Sequence, residues 1–118
     1  MEEVYPAFCD ADLVVLATPM FWGYMTSQLK TLFDRLEAVV SERCFGGKDF
    51  VLLIGYRQYF GSMVAWLDRI AGLSSSRSHA ITVQTFDPEA GVDVPVIQQP
   101  ERLAEAERLG RELAAARG

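Results

Sequence analysis

Three short apolar runs divide the chain into a repeating pattern. "DLVVLA" near residues 12–17, "FVLLIG" at 50–55 and "AITVQTF" at 80–86 are of strand length and rich in leucine and β-branched residues. A run without polar alternation predicts a strand covered on both faces, as in a parallel sheet. Between the runs the apolar period becomes helical. Leu29, Leu32, Phe33, Leu36 and Val40 recur at helical spacing after Thr26 or Ser27, either of which can cap the helix. Lys30 and Asp34 stand four apart on its outer side, in the less favourable order. Met63, Trp66, Leu67 and Ile70 form the inner face of a second helix in "FGSMVAWLDRIAGL".

The remaining segments read as ends and connections. "MEEVYPAFCDA" predicts a short amphipathic helix with Val4, Phe8 and Ala11 on one face, and Pro6 in the first turns, where a missing N–H costs least. "SERCFGGKD" is a turn with a glycine pair, "SSSRS" a polar linker, and "DPEAGVDVPVIQQ" a loop rich in turn formers. Pro100 opens a last helix at the position proline prefers, with Leu103, Ala106, Leu109, Gly110 and Leu113 expected to face inward. Strands alternating with helices predict an α/β fold, a three-layer α/β/α sandwich around a parallel sheet. Two features are irregular: three strands make a thin sheet, and the first element is a helix with no strand before it.

With 118 residues, half of them hydrophobic, the chain is long enough for one domain with a real core and too short for two. A net charge of −5 leaves no basic stripe for phosphates along a duplex, so nucleic acid is not an expected partner. No apolar run approaches the roughly 18 residues of a membrane span, and the acidic start "MEEVYPAFCDAD" lacks a signal-peptide core. The expected location is the cytoplasm. Cys9 and Cys44 lack metal-ligand or CxxC spacing and read as ordinary reduced thiols. His79, the single histidine, suits a surface or strand-start role, Asp34 and Arg35 suit ion pairs, and Asp87 and Glu89 sit in a turn. No metal site and no catalytic side chain are assigned.

One joint departs from the polar loops that usually follow strands. "TPMFWGYMTSQLK" presents Met20, Phe21, Trp22 and Tyr24 directly after the first run. Side chains of this size need cover, from the helix below, an interface or a flat ligand. The corresponding joint after the second run, "IGYRQYFGS", offers Gly55 for close approach, with Tyr56 and Arg57 as candidate ligand contacts or parts of a solvated turn.

The stretch "ADLVVLATPMFWGYMTSQLKTLFDRL" resembles the flavodoxin-like NAD(P)H-dependent FMN reductases, especially their iron–sulfur-flavoprotein-like branch. Pro19, Phe21, Trp22, Gly23, Ser27, Leu29, Lys30, Asp34 and Arg35 occupy the motif positions, with Phe21 where tyrosine is usual. "AERLGRELA" is similar to that family's last helix, with Gly110 expected to let it lie close on the sheet. The resemblance implies a partial flavodoxin-like fold, FMN as cofactor, NAD(P)H as co-substrate and a small-molecule electron acceptor. It implies a cofactor site at Thr18, Pro19, Met20, Phe21, Trp22 and Gly23; the residues of the next loop add Gly55, Tyr56 and Arg57, where the family usually shows glycine and small residues. Backbone N–H groups around Phe21 to Gly23 would meet the pyrimidine edge of the flavin, and Phe21 and Trp22 would lie against its ring. Such donors favour the negative charge of a reduced flavin. Tyr56 and Arg57 would flank the flavin or meet the phosphates of the nicotinamide nucleotide.

The match begins at the family's second helix, which makes residues 1–118 an N-terminally truncated flavodoxin-like domain in expectation. The phosphate-binding loop and the cysteine cluster belong to the preceding strand–helix–strand, so neither is carried over and no iron–sulfur centre is expected. In such sheets the flavin sits at the switch point beside the first run. That run is therefore expected as an open edge, which favours a homo-oligomer. The alternative to a flavin reductase is a non-catalytic oligomeric or interaction module.

Overall fold

The computed structural model describes residues 1–117. Helix α1 (Val4–Asp10) leads into strand β1 (Leu13–Pro19), helix α2 (Ser27–Leu36), a short helix α3 (Glu42–Phe45) and strand β2 (Asp49–Tyr56). Helix α4 (Gly61–Leu73) and strand β3 (Arg77–Gln84) follow. A two-residue hairpin of β4 (Phe86–Asp87) and β5 (Val92–Asp93) then precedes helix α5 (Pro100–Arg117). The three long strands form a parallel sheet in the order β1-β2-β3, flanked by helices, which is part of a flavodoxin-like α/β/α sandwich. The strands begin or end a few residues from the apolar runs. β1 reaches Pro19, and β3 starts at Arg77 inside the expected polar linker.

The sheet is organised around β2. Its register pairs Val14, Phe50 and Ser78 on one face, and Val15, Val51 and His79 on the other. On the first face Phe50, Leu52 and Ile54 are fully buried against Phe8, Leu36, Met63 and Leu67 of α1, α2 and α4. Each such side chain contributes on the order of 1.5–3 kcal/mol. Helix α5 covers the second face over β2 and β3, where Val51, Ile81 and Leu113 are buried. Thr26 is the cap of α2, its hydroxyl accepting from the Leu29 N–H at 3.3 Å.

Four expectations are corrected. β1 is covered on one face only: Leu16 and Thr18 are buried, whereas Leu13 and Val15 are exposed, Val15 at 54%. Helix α5 does not reach that part of the sheet, and a continuous apolar run cannot reveal this. Helix α5 itself buries Leu113, but Leu103, Ala106 and Gly110 are exposed, and nothing lies within 4 Å of a Cβ added at Gly110. Gly110 therefore does not serve close packing. The helix read through Val40 ends at Leu36, passes into a 3-10 turn over Glu37–Val39, and leaves Val40 exposed. Finally, Cys9 and Cys44 are joined in a disulfide. The two are 35 residues apart, and only the packing of α1 on α3 brings them together.

A polar knot closes the amino-terminal end of the sheet. The Asp49 carboxylate, fully buried, accepts from His79 Nε2 at 3.0 Å, from Arg77 at 2.8 Å, and from Arg117 Nε at 3.0 Å. His79 thus serves the strand start, tying β3 to β2. Burial pushes the Asp49 carboxyl up, but the bonds from His79, Arg77 and Arg117 outweigh it and hold its pKa at about 2. Beside it, buried Lys48 donates to the carbonyls of Cys9 and Ala11 at the end of α1.

Two outcomes follow. Because the folded-state pKa of Asp49 lies below its ordinary 3.8, its contribution is complete above that value and is lost as pH falls towards about 2. Chemical denaturation between pH 5 and 2 should show a loss of about 2 kcal/mol from this group that Asp49→Asn, itself destabilised throughout, no longer shows. Reduction of the disulfide should lower stability by about 4 kcal/mol, the value for closing a loop of this length. An unchanged denaturation midpoint after reduction would refute that contribution.

Candidate functional site

The carboxyl ends of the three parallel strands open onto one groove of about 990 Å³. After β1 the chain makes a two-residue hairpin: the Phe21 N–H donates to Tyr24 O at 2.9 Å and the Tyr24 N–H to Phe21 O at 3.1 Å. Between them Trp22 has φ 52° and Gly23 φ 78°. Two successive positive φ values are the geometry of a type I′ turn, which normally takes asparagine or glycine at its first central position. A tryptophan there is strained by about 1–2 kcal/mol.

This turn is pinned on both sides. The Met20 N–H donates to Gly55 O at 2.9 Å, binding its start to β2. The Ser62 hydroxyl donates to the Gly23 carbonyl, binding its tip to the first turn of α4. Met25 is buried just beyond and anchors the return. With the frame so held, Phe21 is 60% exposed and Trp22 wholly exposed at 105%. Neither ring is buried in the helix below, so burial within the chain does not account for them.

Of the nine site residues read from the sequence, the fold brings Met20, Phe21, Trp22, Gly23 and Arg57 to the groove. The others have different surroundings. Thr18 is buried, its hydroxyl donating to Pro19 O at 2.8 Å and accepting from the Thr26 N–H at 3.4 Å, which straps the loop. Pro19 ends β1, paired with Gly55. A Cβ at Gly55 would meet only the Thr85 methyl, at 3.6 Å, an ordinary contact. The Tyr56 ring packs on Phe60 with centroids 4.8 Å apart.

Three groove residues were not read from the sequence: Gln58, Tyr59 and Phe86. Tyr59 carried the same signal as the first loop, an aromatic side chain directly after a buried strand, and is 72% exposed. Phe86 was assigned to the third strand, but the chain turns at Thr85, whose N–H donates to Tyr56 O at 2.8 Å. Phe86 instead opens the β4–β5 hairpin that forms the far wall.

The donor set is compatible with a flavin ring. Exposed aromatic faces line the groove, and its volume suits a cofactor-sized ligand. The N–H of Phe21 is engaged in the hairpin, leaving those of Trp22 and Gly23, which make no hydrogen bond among the described residues. Nothing lies within 4 Å of the Gly23 Cβ position, so a planar group can approach the backbone there. A second hollow, of about 400 Å³, lies beside the Phe33–Trp66 pair on the flank of α2 and α4. It is remote from the strand ends where ligands of parallel α/β sheets bind.

A stretch of 42 residues is 48% identical to an iron–sulfur flavoprotein of Methanocaldococcus jannaschii, covering 36% of this chain and 21% of that protein. No solved structure matches the chain. The family described as NADPH-dependent FMN reductase matches residues 1–86, which include β1, β2, β3 and both groove loops. The chain belongs to the NADPH-dependent FMN reductase family.

Proposed function

We propose that the groove is an FMN site at which NADPH reduces the flavin. The carrying observation is Trp22, fully exposed at a strained positive φ in a turn pinned from both sides. Backbone strain of this kind persists where the surrounding structure enforces it, and it clusters at ligand sites. Phe21 and Trp22 would lie against the ring, and the N–H groups of Trp22 and Gly23 would meet its polar pyrimidine edge. Met20 and Tyr59 would exclude water around it. Bound FMN supplies hydride acceptance at N5 from nicotinamide C4 and onward electron transfer to a small-molecule acceptor, such as a quinone or free flavin. The chain's own part is binding, orientation and backbone dipoles; no side-chain acid or base is needed.

A second proposal concerns β1. As the outer strand of the sheet it leaves one edge unpaired, with Leu13 and Val15 exposed beside it. Unprotected edges of this composition pair with other chains, and we propose a homo-oligomer formed there.

Two measurements test these readings. FMN should quench Trp22 fluorescence on binding, and Trp22→Ala should weaken FMN binding about tenfold, the scale of one aromatic stacking contact. The same change should leave thermal stability nearly constant, because the ring is fully exposed and alanine keeps the Cβ that strains the turn. Equal losses of binding and stability would instead mark Trp22 as a packing residue, and absence of FMN binding by the chain would end the reading. Light scattering should find an oligomer that Val15→Lys disrupts; a monomer at all concentrations refutes the edge proposal.

A further inference from the structure

Arg57 is the single formally charged side chain among the described residues lining the groove. It is also held in place. Its guanidinium carbon lies 4.1 Å from the centroid of the Phe86 ring, a cation–π contact that holds the group against the ring. Asp93, directly opposite Phe86 in the β4–β5 ladder, approaches the same guanidinium at 3.6 Å. Arg57 thus meets both strands of the hairpin, Phe86 on β4 and Asp93 on β5.

The hairpin that holds it is itself braced. Asp87 Oδ1 accepts from the N–H groups of Glu89 and Ala90, and the Gly91 N–H closes the turn on Asp87 O at 2.8 Å. The Val94 N–H donates to Thr85 O at 2.9 Å, and the Gln99 amide donates to Gln84 O and Val94 O. From the other side the Gln84 amide donates to Arg57 O at 3.1 Å. Backbone and side chain of Arg57 are therefore both tied to the β3–β4 segment.

The charge balance leaves this cation available. Asp93 is 83% exposed, and a contact of 3.6 Å between two exposed groups neutralises little in water. The guanidinium makes no hydrogen bond among the described residues, Asp93 lying 3.6 Å away, so its donors can meet a phosphate oxygen. The groove is bounded after β1 by the Phe21–Gly23 turn and after β2 and β3 by Arg57 and Phe86. A ligand reaching both ends would place an aromatic ring near Trp22 and an anionic group at Arg57. A protein of net charge −5 otherwise repels such a group.

We infer that Arg57, positioned by Phe86 and moderated by Asp93, is the contact for a phosphate of the nicotinamide dinucleotide. This rests on the FMN reading of the groove. Phe86 and Asp93 are positioning residues; they act on the dinucleotide through the guanidinium. Asp93 competes with the phosphate for the same donors, so its charge weakens binding, and Phe86 strengthens binding by holding the group in place.

The test measures binding to the flavin-free chain and kinetics with FMN present. Arg57→Gln should weaken binding of adenosine 2′,5′-bisphosphate or of ADP-ribose about tenfold, a change in the first assigning the 2′-phosphate and in the second the pyrophosphate. Asp93→Asn should strengthen the same binding up to about fivefold and flatten its salt dependence, the scale of an exposed ion pair. Phe86→Leu should weaken it, and Phe86→Tyr, which keeps the ring, should restore it. In turnover, KM for the dinucleotide should follow these changes while kcat at saturation stays constant. FMN affinity, read by flavin fluorescence, should be unaltered by Asp93→Asn, a residue outside the groove lining. If FMN binds normally but neither probe responds to Arg57→Gln, the inference fails and the FMN reading stands. If Arg57→Gln weakens FMN but not riboflavin, Arg57 serves the flavin phosphate and the inference is overturned. If the unmodified chain binds no FMN, the underlying reading fails instead.

Discussion

The carboxylate of Asp49 is the point on which the sheet and its helices converge. It is fully buried at the start of the central strand, where an unpaired charge would cost several kcal/mol. Folding is tolerable only if β3 delivers His79 and Arg77 and α5 delivers Arg117 to the same oxygens. One residue earlier, Lys48 imposes a matching condition on α1, since its buried ammonium needs the Cys9 and Ala11 carbonyls. A buried ionic cluster adds little net stability compared with apolar packing, but it tolerates few alternatives. A register slip in β3 or a shifted α5 would strand a charge in the interior. The dipeptide Lys48–Asp49 therefore specifies arrangement, while Phe50, Leu52 and Ile54 supply the apolar burial behind it.

Much of this was legible in the chain because local pattern and tertiary position coincide in β2. A run without alternation predicts a strand covered twice, and the central strand of a three-stranded sheet is covered twice. The same inference failed for β1 because an edge strand can carry the same composition while one face stays open, as Val15 does. For α5 the apolar spacing was real but its meaning was not fixed: of the five positions expected to face inward, only Leu113 is buried. The disulfide was invisible for a related reason. Cys9 and Cys44 approach each other only once α1 and α3 have packed, and no local spacing encodes that approach.

The candidate site was legible in proportion to how local each part is. The aromatic loop after β1 announced itself by composition, and Gly23 suits a turn. The positive φ of Trp22 did not, because the residue type argues against the conformation it adopts. Arg57 was readable as a loop residue, but its aromatic partner lies 29 positions further on, across a hairpin that begins where a strand was expected to continue. Side chains that act together across β-to-loop boundaries depend on where the strand stops, and in β3 that is set by the Thr85–Tyr56 bond.

The two ends of the sheet divide the work between them. At the amino end Arg77, His79 and Arg117 are engaged with Asp49, and Lys48 with the carbonyls of Cys9 and Ala11. The carboxyl end carries aromatic faces, two free backbone donors and one cation held against a ring. A flavin brings its own redox chemistry, so a protein that uses one needs rigid placement more than acids and bases. Rigid placement is what the bonds around the groove supply: Met20 to Gly55, Ser62 to Gly23, Gln84 to Arg57. Each ties a ligand-facing loop to a neighbouring strand or helix rather than to another loop. Exposed aromatic rings on a mobile loop would collapse onto the nearest apolar surface. Held by a frame whose opposite end is locked through Asp49, they stay open to water.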